Sequence, residues 1–192
     1  VGWEMPVQYT GVIEEHRAVR SSAGIFDLSH MGEIEVTGPG AGRALDAALV
    51  SEPSKLSVGR AQYSIIVDER GGMLDDLVVY RTAVESWLVV ANASNRATVV
   101  AALQDRIRGT ARVRDLSDET AMIAIQGPLS LEILAPLVDT EHKAAVAYAS
   151  QPIGTTTDFE MSAYFALAGD VTAIQIVNQA QIDYVKNLLA TT

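Results

Sequence analysis

The chain of 192 residues contains no cysteine, which excludes disulfides, thiolate metal sites, iron–sulfur ligation and a cysteine nucleophile together. It also lacks any apolar run of the ~18 residues needed to span a membrane, so no membrane partner is expected. Histidine is scarce. His16, His30 and His142 share neither an H-x-x-x-H nor an H-x-H spacing, so no metal site is expected. Basic side chains are few, 14 against 24 acids, for a net charge of −10. Such a chain repels phosphate backbones, and nucleic acid is not an expected partner. The opening Val1-Gly2-Trp3-Glu4 has neither the basic flank nor the apolar run of a signal peptide, so the expected localisation is cytoplasmic.

What is present suffices for a folded protein. Hydrophobic residues make up 48% of the chain and charged ones only 20%, which excludes disorder of the whole and fits one domain or two small ones. Charge is uneven: residues 1–114 carry 12 bases and 14 acids, whereas residues 115–192 carry only Lys143 and Lys186 against ten acids.

Hydrophobic periodicity sets the expected element order. Residues 11–20 read as a short amphipathic helix with Val12, His16 and Val19 on one side, stopped by Gly24. A strand over 33–39 ends in a Gly-Pro turn, and a helix follows at 40–51. Three strand-like runs, 61–69, 73–81 and 86–93, are separated by connectors short enough to require antiparallel hairpins. Asn95 is placed to cap a helix over 96–107. Strands over 111–117 and 120–128 and a helix over 129–138 follow. The polar stretch 150–158 reads as a linker, 159–167 as a strand, and 171–189 as a helix capped by Asp170. The last two are expected to dock on the preceding body, since neither can form a core alone. The fold class is α+β, with antiparallel sheets, packed helices and ferredoxin-like character, not a doubly wound parallel sheet.

Two motifs invite functional readings. GPGAGRA (38–44) lies between a strand and a helix, but Arg43 stands where the dinucleotide fingerprint needs its last glycine, so a tight turn is the better reading. Ser29-His30 lacks the glycines of a nucleophile elbow. Asp75-Asp76, inside MLDDLVVY, is the most unusual feature. Two carboxylates interrupt an apolar strand, and alternation sends Asp76 with Leu74, Val78 and Tyr80 to one face and Asp75 with Met73, Leu77 and Val79 to the other. At least one carboxylate must then be partly dry, which costs several kcal/mol unless a cation, amides or ligand N–H groups satisfy it. One reading pairs an acid with Arg81 or Arg70; the other holds a carboxylate ready for a ligand nitrogen or a developing cation.

The segments GWEMPVQY (2–9), 14–39 with its SHMGE turn, 61–81, VVANASN (89–95) and IAIQGP (123–128) together closely resemble the aminomethyltransferases, or T-proteins, of the glycine cleavage system. The likeness is nearly gapless from Gly2 to about Ser150. It implies a tetrahydrofolate-dependent enzyme that takes an aminomethyl group from the lipoyl arm of the H-protein carrier and releases ammonia. It also implies two domains, residues 1–34 with 124–192 and residues 35–123, without the family's C-terminal barrel. By the same resemblance, Asp76 is the catalytic carboxylate beside the reacting nitrogen and carbon. Tyr63, Val78, Tyr80, Asn92 and Met31 border the folate site, and Tyr148 lies near the route by which the lipoyl arm arrives. The family's pterin-gripping stretch is not present as such, and Glu160 of Asp158-Phe159-Glu160 stands in its glutamate's place. That departure keeps an alternative open: a truncated, non-catalytic folate-binding or interaction module on the same fold.

Overall fold

The computed structural model describes residues 2–134 and 171–177. In chain order the elements are α1 (Val12–Ser21), β1 (Gly24–Asp27), β2 (Gly32–Thr37), α2 (Ala41–Ala48), β3 (Ala61–Val67) and β4 (Met73–Ala83). They continue with β5 (Ser86–Ala91), α3 (Arg96–Ile107), β6 (Arg112–Asp115), β7 (Ala121–Gln126), α4 (Ser130–Leu134) and β8 (Val171–Val177). Two compact units divide the chain: Ser29–Thr120, and Gly2–Leu28 with the described part of Ala121–Thr192.

The first unit is a five-stranded sheet of order β3-β4-β5-β2-β6 in which every neighbouring pair is antiparallel. β4 and β5 are joined by the two residues Val84 and Glu85, so the long apolar runs pair locally. One face of the sheet carries Ile34, Val36, Ile66, Leu77, Val79, Trp87, Val89 and Ala91 into a core closed by α2 and α3. α3 contributes Val99, Leu103 and Ile107, spaced four apart along one helix stripe and fully buried. Burial of each such large side chain contributes about 1.5–3 kcal/mol. The glycines of 38–44 serve this packing. A Cβ on Gly42 would stand 2.8 Å from the Trp87 ring, and Gly38 turns the chain at φ +122°.

The second unit contains a three-stranded antiparallel sheet of order β1-β7-β8. Here the structure corrects the sequence expectation. Residues 171–177 are a strand, not the start of a helix, and pair with β7 from Ala121↔Val177 to Gln126↔Val171. Five of the seven residues of VTAIQIV are β-branched, and a sheet edge offered by β7 lets them adopt their stiff extended preference. β1 is a second departure, a strand that begins at Gly24, where periodicity gives only a helix stop. The expected linker 150–158, strand 159–167, Asp170 cap and helix remainder 178–189 lie outside the described residues.

α1 buries no residue fully, and Val12 is exposed. Its start is instead held by Glu15, whose Oε1 accepts the backbone N–H groups of Tyr9, Thr10 and Gly11 at 2.7, 2.6 and 3.0 Å. Those bonds hold the Glu15 carboxyl below its ordinary range, the Gly11 N–H contributing most.

Candidate functional site

The two carboxylates of β4 diverge as alternation requires. Asp75 lies on the helix-covered face and is 2% exposed, while Asp76 is half-buried on the opposite face. Alternation holds for Leu77, Val78, Val79 and Tyr80, since Leu77 and Val79 belong to the core. It fails below Asp75. A bulge opposite Ile66–Val67 leaves Leu74 without a register partner, so Leu74 packs against the core instead of joining Asp76, and Met73 is exposed.

Asp75 is satisfied by amides. Its Oδ2 accepts the Asn92 backbone N–H at 2.9 Å, and its Oδ1 accepts Asn92 Nδ2 at 3.0 Å and Asn95 Nδ2 at 2.6 Å. Pairing with Arg81 is therefore not what compensates it. The Arg81 guanidinium donates to the carbonyls of Leu56 and Val84 at 2.6 and 2.7 Å and stacks 4.9 Å from the Trp87 ring. Asn95 also departs from its expected role. It precedes α3, but its side chain makes no cap hydrogen bond and is spent on Asp75.

Asp76 is held on both oxygens. The Tyr63 hydroxyl donates to Oδ2, and Asn92 Nδ2 stands 3.0 Å from Oδ1 and 2.9 Å from the Asp76 carbonyl. A carboxylate has about four lone-pair sites, so two donors leave capacity for further N–H groups. The register explains why these residues meet. Tyr63 pairs with Val78, Ile65 with Asp76, Val78 with Val90 and Tyr80 with Leu88, which puts Tyr63, Asp76, Val78 and Tyr80 on one face of β3 and β4. Met31 precedes Gly32, whose partner Ala91 precedes Asn92, so Met31 and Asn92 stand at one level at the ends of neighbouring strands. Of the described residues expected at the site, Tyr63, Asp76, Val78 and Tyr80 thus share one sheet face, Asn92 reaches Asp76 through its amide, and Met31 stands at the level of Asn92 at the strand ends. Tyr148 and Glu160 lie outside the described residues.

A third acid shares that face. Glu33 pairs with Val90 across β2 and β5 and is fully buried. Neither carboxyl oxygen has a hydrogen-bond partner among the described residues. The nearby Ser117 hydroxyl accepts the Glu33 backbone N–H at 2.8 Å and donates a hydrogen bond to Asp115 Oδ1 at 2.6 Å. Burial pushes the Glu33 carboxyl up to about 7, against the opposing pull of the Arg96 guanidinium. Arg96 in turn bonds Asp118 with both terminal nitrogens at 2.9 Å and Asp115 with Nε at 2.9 Å. Its stem lies over Gly32, where a Cβ would come 3.2 Å from Arg96 Cγ. Glu33 sits within a plain EIEV alternation, so only its burial, which the sequence does not show, marks it.

Comparison with known proteins finds relatives over most of the chain. The family model described as the GCVT N-terminal domain matches residues 1–164. An aminomethyltransferase of Saccharopolyspora erythraea is 52% identical over 149 residues, covering 77% of this chain and 41% of that protein. An aminomethyltransferase of Corynebacterium jeikeium is 43% identical over 192 residues, covering 95% of this chain and 47% of its own length. Among solved structures, the glycine cleavage system aminomethyltransferase T from Bartonella henselae matches with TM-score 0.67 and 40% identity, over 70% of this chain and 37% of that one. The chain therefore spans less than half the length of these relatives.

Proposed function

The chain belongs to the family of the GCVT N-terminal domain, and from that premise we propose that it acts in tetrahydrofolate-dependent aminomethyl transfer, with Asp76 as the catalytic carboxylate. The observation that carries this reading is the Asp76 carboxylate, fixed by Tyr63 and Asn92 on a face lined by Val78 and Tyr80. The residues fit a flat heterocycle carrying N–H groups: a half-buried acid with spare lone pairs, an adjoining phenol and apolar neighbours. When bound, tetrahydrofolate supplies the nitrogen that accepts the one-carbon unit. Asp76 is placed to hold or remove a proton there and to stabilise positive charge developing on the transferred carbon, in a setting drier than water. The Tyr63 hydroxyl and the Asn92 amide hold the Asp76 carboxyl in one orientation, so little reorganisation is needed during reaction.

Met31, Tyr63, Val78, Tyr80 and Asn92 border the folate in this proposal, Glu160 grips the pterin, and Tyr148 lies near the arriving lipoyl arm. The lipoylated H-protein is the proposed donor partner, ammonia the product and the cytoplasm the proposed site of action. The division into residues 1–34 with 124–192 and residues 35–123 belongs to the same reading. Titration calorimetry with tetrahydrofolate tests it. Saturable binding is expected, weakened about tenfold or more in Asp76→Asn by loss of a charge-assisted contact. Equal binding by Asp76→Asn removes Asp76 from the site. Mixing the protein with aminomethylated H-protein and tetrahydrofolate should release ammonia; binding without release leaves a folate-binding module.

A further inference from the structure

We propose that Asp75 is a positioning residue that fixes the geometry of Asp76 through the carboxamide of Asn92. The inference rests on the folate reading above but concerns a residue that no ligand on the Asp76 face can touch. Asp75 lies on the other face of β4, beneath the helices, and is 2% exposed. A leucine there would join Leu77 and Val79 in the core with no desolvation cost, so an acid at this place calls for another reason.

The hydrogen bonds supply one. Asp75 takes Asn92 at two points, the backbone N–H at 2.9 Å and Nδ2 at 3.0 Å, which together restrict how the Asn92 side chain can turn. The same Nδ2 lies 3.0 Å from Asp76 Oδ1 and 2.9 Å from the Asp76 carbonyl. One amide group is thus shared between the buried acid and the acid of the site. Asn95 adds a donor to Asp75 at 2.6 Å and gives up capping α3 to do so. A local preference surrendered in favour of a contact to a buried acid is the pattern expected where positioning outranks helix stability. Asp75 is held, Asn92 is aimed by it, and Asp76 is set by Asn92 on one oxygen and by Tyr63 on the other.

A double-mutant cycle on the full chain tests this, read by tetrahydrofolate binding and by thermal melting. The four proteins are the parent, Asp75→Asn, Asp76→Asn and the double variant. Asp75→Asn should weaken binding about fivefold in the parent background and less than about twofold when Asp76 is already Asn. Thermal melting serves as the folding control, and all four proteins should melt cooperatively above the temperature of the binding measurement. Equal factors in binding in both backgrounds, or no loss in either, overturn the proposal while leaving the folate reading intact. A parent that fails to bind tetrahydrofolate overturns the folate reading and this inference with it. If Asp75→Asn does not fold, Asn95→Ala replaces it in the same cycle. It removes one of the three donors to Asp75, and about a twofold loss confined to the Asp76 background is expected.

Discussion

Glu33 makes stability depend on pH in a direction opposite to that of an ordinary paired carboxylate. Its carboxyl is fully buried, has no hydrogen-bond partner among the described residues, and titrates at about 7 against an ordinary 4.5. The folded chain therefore holds a proton that the unfolded chain releases. Below pH 4.5 Glu33 is neutral in both states and carries no ionisation penalty. Between 4.5 and 7 the unfolded state ionises first, so stability falls as pH rises. Above 7 both states are ionised, and the penalty levels off at about 3 kcal/mol, from 1.36 kcal/mol for each pH unit between the two values. Glu33→Gln removes this titration while keeping shape. Urea denaturation of both proteins between pH 5 and 8.5 should therefore give curves that diverge, the variant gaining about 2–3 kcal/mol on the parent across the range. The constant cost of an unpaired amide shifts both ends of that difference equally and does not alter its slope. Arg96 pulls against the shift and Asp115 adds to it, so the measurement belongs at moderate salt, where both half-buried partners are partly screened. A stability difference that is flat with pH refutes the reasoning, because it means the Glu33 carboxyl is solvated or paired.

Two further outcomes separate the observed contacts from simpler ones. Asn95→Asp would be harmless or favourable if residue 95 were an ordinary helix cap, since aspartate caps as well as asparagine and suits the helix dipole. With its side chain 2.6 Å from Asp75, the substitution sets two carboxylates against each other, and denaturation should show a loss of about 2 kcal/mol or more; an unchanged midpoint contradicts the contact. Gly127→Ala should cost about 3 kcal/mol or more, because φ is +123° and the new Cβ would stand 2.5 Å from the Ser22 carbonyl oxygen and 2.6 Å from that of Val19. A loss below about 1 kcal/mol in the same assay shows that the backbone there can move aside.

Local pattern determined much of this protein. The period-2 runs at 61–67 and 86–91, the 3.6-period run at 96–107 and the short connectors between them specify antiparallel hairpins with crossing helices, because side-chain direction follows from backbone period alone. The same rule alone puts Asp75 and Asp76 on opposite faces. It also marked them as unusual, since two acids in an apolar strand oppose both burial and propensity. The family resemblance then singled out Met31, Tyr63, Val78, Tyr80 and Asn92, but not which atoms meet. That was decided by strand register, which is non-local: Tyr63 reaches Asp76 only because Ile65 pairs with it across the sheet. Tertiary structure also decided four matters that local pattern misreads or leaves open. VTAIQIV became a strand because β7 offers it an edge, whereas its apolar spacing alone fits a helix stripe as well. Leu74 changed face because a bulge adds a residue on one strand only, which no pattern within that strand records. Asn95 left its capping role because a buried acid distant in sequence takes its amide, and Glu33 lost its solvent because strand pairing places it inside the folded unit. A residue's type and spacing fix what it can do, but its charge state and hydrogen bonds depend on neighbours that only the folded chain supplies.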